Sequence, residues 1–556
     1  MPVDLRSFGR LLPTPVRAPA IAGCSFAISL ALLPVVDPAA RPLALPLIAT
    51  ANLLVLYVLV LSERDGELPV CELGSVCVVI TALYGSVPVL GYWLGGLRWS
   101  PFSDQRLIAG AMTPDDVGAV AWRYVVYLGS FVAAYLIWRG KPATRPSLPA
   151  VDERTESAVV LAIAGITTFF LLVFVRYGTS DNPAYASIAA GTVPALAELP
   201  PLVYFAARAG VAMLLVAKLC LLVLLFQRWG QMRYRVLIFT WLALEIVHAV
   251  ARMGGRRDIA MLLMVAVLLY HRLVRPLAFW PAAGAVVSLL AGLLVFGFVR
   301  QGWGVHAPWS ANNEFQVLFA NAWDLLGRRD GLAVPWQIYV SDLLRLIPRD
   351  AHGLLPFAVL DPSLWYLRVL EARDPRVGLM FGVVAQSVIG WDWVELALRG
   401  AALGVIFAAI HRWHARSTSL WATVLYLYLC VWAYYTVRAT TFHVASLVLW
   451  RLLPSMLVLV PLAIVLGRLR ELPDRLARTR KPAAAPAFAS LAARVSVPGS
   501  WAVGLKRPLG DQRFGTFLGW NAAPSRSVQG EQGAGGSHEN HGPRRPRRAV
   551  RGGDIG

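Results

Sequence analysis

The sequence predicts an all-α polytopic membrane protein with about twelve transmembrane helices, cytoplasmic N- and C-termini and one large outer loop. Three observations predict it. The 556 residues are 57% hydrophobic with a mean hydropathy of +0.58. Only 15% are charged, against about 25% in a soluble domain. Apolar runs long enough to cross a bilayer recur along most of the chain, and lysine and arginine fall mainly in alternate loops.

The basic start, "MPVDLRSFGRLLPTPVR", leads into an apolar run ending near Val36. It has a signal-like opening, but no small-residue cleavage site precedes the next span, so a retained first helix is expected. Helices are expected at 19–36, 43–62, 71–95, 117–138, 157–175, 209–227, 235–252, 258–271, 277–299, 393–412, 420–437 and 444–467. With the N-terminus inside, the cytoplasmic loops are "SERDGELP", "RGKPATRPSLPAVDERTES", "QRWGQMRYR", "HRLVRP" and "HRWHARSTS". Most of them are basic, as insertion requires. The outer segments are then 37–42, 96–116, 176–208, the "GGRRD" turn, 300–392 and the "RATTFH" turn. The organisation is a membrane domain at 1–468 followed by a basic tail at 469–556, rich in Ala, Pro, Gly, Ser and Arg and expected to be disordered. Within the 300–392 segment, "GLMFGVVAQSVIG" is a candidate half-inserted element.

The formal net charge is +20, and a large share lies in the tail, including "RRPRR". On a membrane protein such a tail fits anionic lipid headgroups better than nucleic acid. The five cysteines lie in or beside apolar runs without a CxxC pair, which excludes a disulfide framework and gives no metal site. Walker A, HExxH and GxSxG sequences are absent. No cofactor is implied.

Two features stand apart from this pattern. Lys218 and Glu245 lie at similar depth on the sixth and seventh helices, so an ion pair between them is expected. Glu245, His248 and Arg252 share one helix face. More conspicuous are outward arginines that insertion does not explain: Arg252, Arg256 and Arg257 at the turn, and Arg300, Arg328, Arg329, Arg345, Arg349, Arg368, Arg373, Arg376 and Arg438. Gly254 and Gly255 allow a tight turn before Arg256, and Asp258 suits the N-cap of the next helix. Guanidinium groups bind phosphate oxygens in forked pairs, so a lipid-linked phosphate or pyrophosphate is the natural partner. The segment 300–392 is rich in Trp, Tyr, Asn, Asp, Glu and Arg, a composition suited to sugar rings. Its acid–base candidates, with the residue just beyond it, are His306, His352, Glu314, Asp324 and Glu395, and no spacing selects among them.

The stretch "GGRRDIAMLLMVAVLLYHRLVRP…VFGFVRQGW", followed by Ile347-Pro348-Arg349, "GVVAQSVIGWDWVELALRGAALGVIF" and Arg438 in "YYTVRATTFH", resembles the O-antigen polymerase (Wzy-type) family of oligosaccharide repeat-unit polymerases. The resemblance covers about 235–465, and the earlier spans match in hydropathy alone. The chain departs from the family pattern in having Gly-Gly-Arg for Gly-Ser-Arg, and Trp391, Asp392, Trp393 and Glu395 where a Glu-Tyr pair is common.

The resemblance implies glycan transfer from undecaprenyl pyrophosphate to a lipid-linked repeat unit at the outer face of a bacterial plasma membrane. It places Arg256, Arg257, Arg300 and Arg438 in catalysis by charge neutralisation. It carries Arg349 over to pyrophosphate handling with them, and it implies a lipid-linked oligosaccharide, membrane lipids, a chain-length regulator and a flippase as partners. Arg252, His306 and Glu395, chosen from the sequence itself, complete the substrate-binding candidates with Arg349. A ligase-like glycan transferase and a twelve-span transporter or flippase are the alternatives.

Overall fold

The computed structural model describes residues 14–65, 72–95, 112–140, 153–177, 201–251, 256–275, 314–347, 354–371 and 381–479, with a few isolated positions between 277 and 288. All of them belong to the unit Met1–Lys481. Among the described residues the chain is all-helical, with no strand. Five helices are long and apolar enough to cross a membrane: Pro38–Arg64, Leu73–Trp93, Pro114–Trp138, Trp393–Arg416 and His443–Leu469. The protein is therefore a helical membrane protein.

The first eight helices are α1 (Thr14–Leu32), α2 (Arg41–Asp65), α3 (Leu73–Gly95), α4 (Pro114–Trp138), α5 (Glu153–Tyr177), α6 (Pro201–Gln227), α7 (Met232–Ala251) and α8 (Arg256–Leu269). Each overlaps an expected span. The expected helix at 277–299 lies almost wholly outside the described residues. The entry to α4 shows why its boundary is sharp. Thr113 accepts from Asp116 N, Asp116 accepts from Thr113 N, and Pro114 occupies the first turn, which together make a capping box.

In its described parts the long segment 300–392 is helical and packs into the bundle. It contains α9 (Glu314–Arg328), the short α10 (Trp336–Tyr339) and α11 (Ser341–Leu344), α12 (Pro362–Glu371) and α13 (Val383–Ile389). On α9, Phe319 stacks on Tyr124 of α4, and Phe315 meets Tyr84 of α3. Every residue of α13 is buried. From Phe381 to Ile389 the apolar run "GLMFGVVAQSVIG" supplies core, with α13 packed on α9.

The remainder comprises α14 (Trp393–Arg416), α15 (Leu420–Trp432), α16 (Tyr435–Arg438), α17 (His443–Leu447) and α18 (Leu453–Thr479). The expected helix at 420–437 breaks after Trp432. There Ala433 N bonds back three residues to Cys430 O, and the Thr436 hydroxyl donates to Ala433 O. A π-helical turn at Val448–Leu452 joins α17 to α18. The last helix continues to Thr479, past the expected boundary at 468, because "GRLRELPDRLART" retains strong helix formers. The rest of the expected tail lies outside the described residues.

The centre of the bundle is the parallel pair α4 and α14. The two helices approach at Gly400 and Gly404, where a Cβ would sit 2.4 Å from Tyr127 O and 2.6 Å from Phe131 O. Only glycine fits such backbone contact. Phe131 and Phe407 meet edge to face below it. The parallel register gives the bundle a 392 end and a 411 end, each with its own buried polar network.

Candidate functional site

The 392 end is built around a sharp turn between α13 and α14. Gly390 N and Asp392 N both donate to Ser387 O, closing the turn. Asp392 is thereby held at φ 50°, a region that non-glycine residues rarely occupy. Its carboxylate is the anchor. Arg123 donates Nε to Oδ1 at 2.8 Å and Nη2 to Oδ2 at 2.6 Å, a forked pair. Arg329 adds Nη1 to Oδ2 at 3.1 Å. The Arg123 guanidinium also lies 4.3 Å from the centre of the Trp393 ring.

One turn into α14, Glu395 accepts from Trp391 N at 3.0 Å and from Arg399 Nε at 2.7 Å. Arg399 Nη1 also donates to Asp342 Oδ2 and to Thr441 Oγ1. Gln386 Nε2 lies 3.3 Å from Ser341 Oγ and 3.4 Å from Asp342 Oδ2. The charges of Asp342 and Glu395 hold the Arg399 guanidinium in place from two sides.

A second arm starts at Arg345, which donates to Asp361 Oδ2 and, through Nη1, to His443 Nδ1, both at 3.0 Å. Arginine can only donate, so His443 Nδ1 accepts and the neutral ring carries its proton on Nε2. His443 packs on Tyr435, and Arg438 lies over the rings of Tyr434 and Tyr435. Arg345, Arg399 and Arg438 thus reach one end of the bundle from three separate segments.

No family model, curated protein or solved structure matches this chain.

The site is therefore read from its own geometry. Of the residues selected from sequence for catalysis or substrate binding, Arg438 and Glu395 lie in these networks. Both Glu395 oxygens serve Trp391 and Arg399, so its visible role is to cap α14 and orient Arg399. Arg256 and Arg257 open α8; their side chains lie outside the described residues. Arg252, Arg300, His306 and Arg349 lie outside them altogether. The sequence reading missed Arg123, Asp342, Gln386, Asp392 and His443. Arg123 and Arg399 carried a usable signal, since an arginine inside an apolar span marks a polar interior. Asp342 and Gln386 carried none.

The opposite network, at the 411 end, is built on Glu72. Its carboxylate accepts from Arg139 at 2.7 Å and from Tyr57 OH at 3.1 Å, and His411 Nε2 lies 3.4 Å away. Leu73 N donates to Tyr426 OH, which pairs with His411 Nδ1. His414 stacks on Tyr426 and receives Arg272 at Nδ1. These groups tie α2, α3, α4, α8, α14 and α15 together. No group of three or more His, Cys, Asp or Glu residues suited to a metal occurs among the described residues.

Between α9 and α12, Tyr366 OH donates to Asp324 Oδ2 at 2.8 Å, and Arg328 pairs with Oδ1. Burial pushes the Tyr366 phenol well above its ordinary value, and the Asp324 charge adds to the rise. An unfolded phenol ionises near pH 10 while this one stays protonated. Its contribution to stability is therefore full below about pH 10 and falls as pH rises above it. Tyr366→Phe is expected to lessen the loss of stability between pH 9 and 11 in a detergent melting series, on the order of that one group's share. An unchanged alkaline slope would count against this account.

Proposed function

We propose that the protein polymerises lipid-linked oligosaccharide repeat units into a surface polysaccharide, by glycan transfer from a lipid pyrophosphate. Twelve spans with both ends inside, in a bacterial plasma membrane, complete the proposal. On that topology the 392 end faces outward. The observation that carries the reading is the gathering of Arg345, Arg399 and Arg438 at this one end, beside a buried carboxylate. The sequence-selected arginines 252, 256, 257, 300 and 349 belong to the same side by the charge rule. Guanidinium groups there suit a pyrophosphate leaving group, whose charge grows as the glycosidic bond breaks.

The transporter reading loses one support. Lys218 Nζ and Glu245 Oε2 are 2.7 Å apart, so these charges form the structural pair expected of them. A flippase and a chain-length regulator remain the natural partners of the polymerase.

The test is the length profile of surface polysaccharide in a deletion strain of the native host. Deletion is expected to leave single repeats, and the wild-type gene to restore long chains. The Arg256→Ala, Arg257→Ala double variant and Arg438→Ala, each present at normal level, are expected to restore less than about a tenth of the polymer, as befits loss of a charge-assisted contact in the transition state. Unchanged chain length on deletion would remove the proposal, and free but unattached polymer would favour a ligase.

A further inference from the structure

We propose that Asp342 is the general base that takes the proton of the acceptor hydroxyl, with Gln386 holding a neighbouring hydroxyl of the same sugar. This rests on the polymerase reading above. It begins from how the carboxylates of the 392 end are used. Asp392 gives both oxygens to Arg123 and Arg329. Glu395 gives both to Trp391 N and Arg399. Asp361 is held by Ser363 and Arg345, and Asp324 by Arg328 and Tyr366.

Asp342 differs. Its Oδ2 receives Arg399 and Gln386, while Oδ1 is buried with no hydrogen-bond partner. It is the one carboxylate oxygen in that state among the described residues. Gln386 Oε1, on the side chain that meets Asp342, shares the condition. Leaving such atoms unpaired is costly, and more so where the group is charged.

Gln386 Nε2 sits on Asp342 Oδ2, so the two orphaned oxygens belong to neighbouring side chains, and both can only accept. Their natural complement is a molecule that offers several O–H donors. Adjacent sugar hydroxyls are such a molecule. The surroundings agree with this. Arg399 and Gln386 fix one oxygen of Asp342, which presets the direction of the other. The short helices α10 and α11 that carry Asp342 also expose Trp336 and Tyr339, whose faces suit the C–H side of a sugar ring.

The acceptor O–H proton passes to Asp342 Oδ1 as the oxygen bonds to the anomeric carbon of the donor glycan. The bond from that carbon to the pyrophosphate oxygen breaks, and its electron pair leaves with the lipid pyrophosphate, which the arginines neutralise. The proton on Asp342 is then lost to water. Glu395, one of the sequence-selected acid–base candidates, serves to hold Arg399 and so acts as a positioning residue.

The experiment uses the full chain in proteoliposomes with lipid-pyrophosphate-linked repeat units extracted from the deletion strain. Asp342→Asn is expected to lower turnover by about 10²–10⁴-fold, the usual share of general-base catalysis. Binding of undecaprenyl pyrophosphate should be kept, because the amide oxygen still accepts from Arg399, which Glu395 holds from its other side. Gln386→Leu is expected to raise the acceptor KM about tenfold with a smaller effect on turnover, as loss of one hydrogen bond does. Wild-type turnover should fall with a one-proton slope on the acid side.

Full activity of Asp342→Asn, or a wild-type rate flat on the acid side, overturns the assignment while leaving the polymerase intact. Those results would mean that the orphaned oxygens hold only an ordered water. If Asp342→Asn does not fold, the wild-type pH profile and Gln386→Leu decide the matter. Absence of any polymer with wild type, under conditions where the units reach the protein, removes the polymerase reading and this one with it.

Discussion

Replacing Gly400 or Gly404 with leucine is expected to abolish accumulation of folded protein. The two glycines sit one turn apart on α14 and face the backbone of α4. A Cβ at Gly400 would lie 2.4 Å from Tyr127 O, and one at Gly404 2.6 Å from Phe131 O and 2.9 Å from Ala134 Cβ. The obstructing atoms are mostly backbone, so no rotamer change relieves the overlap and the helices must part. Overpacking of a core costs about 1–3 kcal/mol even where side chains can adjust. Here the displacement would pull on both polar networks. Arg123–Asp392 lies at one end of the helix pair and Arg139–Glu72, with His411 beside it, at the other. The measurement is the yield of monodisperse protein after detergent extraction and size exclusion. Gly165→Leu on α5 is the control, since nothing lies within 4 Å of its added Cβ. Wild-type yield of Gly400→Leu would mean that α4 and α14 do not pack through this face.

Asp392→Ala is the second large effect. It removes both carboxylate oxygens from Arg123, whose side chain is 5% exposed, and leaves a buried guanidinium with its Ala119 carbonyl and the Trp393 ring. Breaking a buried pair by deleting one partner costs about 3–5 kcal/mol, chiefly because the remaining charge is uncompensated. Asp392→Asn should cost less, since its amide oxygen still accepts from arginine. The double change Arg123→Leu with Asp392→Asn should recover part of the loss, because no unpaired charge is left behind. Asp392→Gly separates the two roles of this residue. It removes the strain of φ 50° while keeping the electrostatic loss, so it should be less damaging than alanine by about 1 kcal/mol or more. Thermal stability of wild type and the three single variants in one detergent is expected to fall in the order wild type, Asn, Gly, Ala. Equal stability of Ala and wild type would deny the pair its structural role.

Helical membrane character was legible because it depends on composition and on runs of apolar residues, which are local. The positions of α1 to α8 and of α14, α15 and α18 followed from the same runs. So did the Lys218–Glu245 pair, since two hairpin-linked helices place residues equidistant from their loop at one depth. The segment 314–389 was harder. Its helices are short and amphipathic or interrupted, and a hydropathy window cannot distinguish a buried connector from an outer loop. Only the burial of Phe319 and of all of α13 shows that much of it is core.

The candidate site divides in the same way. Arg438 and Glu395 could be named from their place beside span ends. Asp342 and Gln386 could not, because their meaning comes from Arg399, Ser341 and Thr441, which lie up to about a hundred residues away and meet them only through the crossing of α11, α13 and α14. The sequence by itself determined that this chain enters a membrane as helices. The tertiary structure decided which carboxylate oxygens are spent and which one is left open. Hydropathy is a sum over neighbours along the chain, whereas the pairing of a buried charge is set by groups that only folding brings within reach.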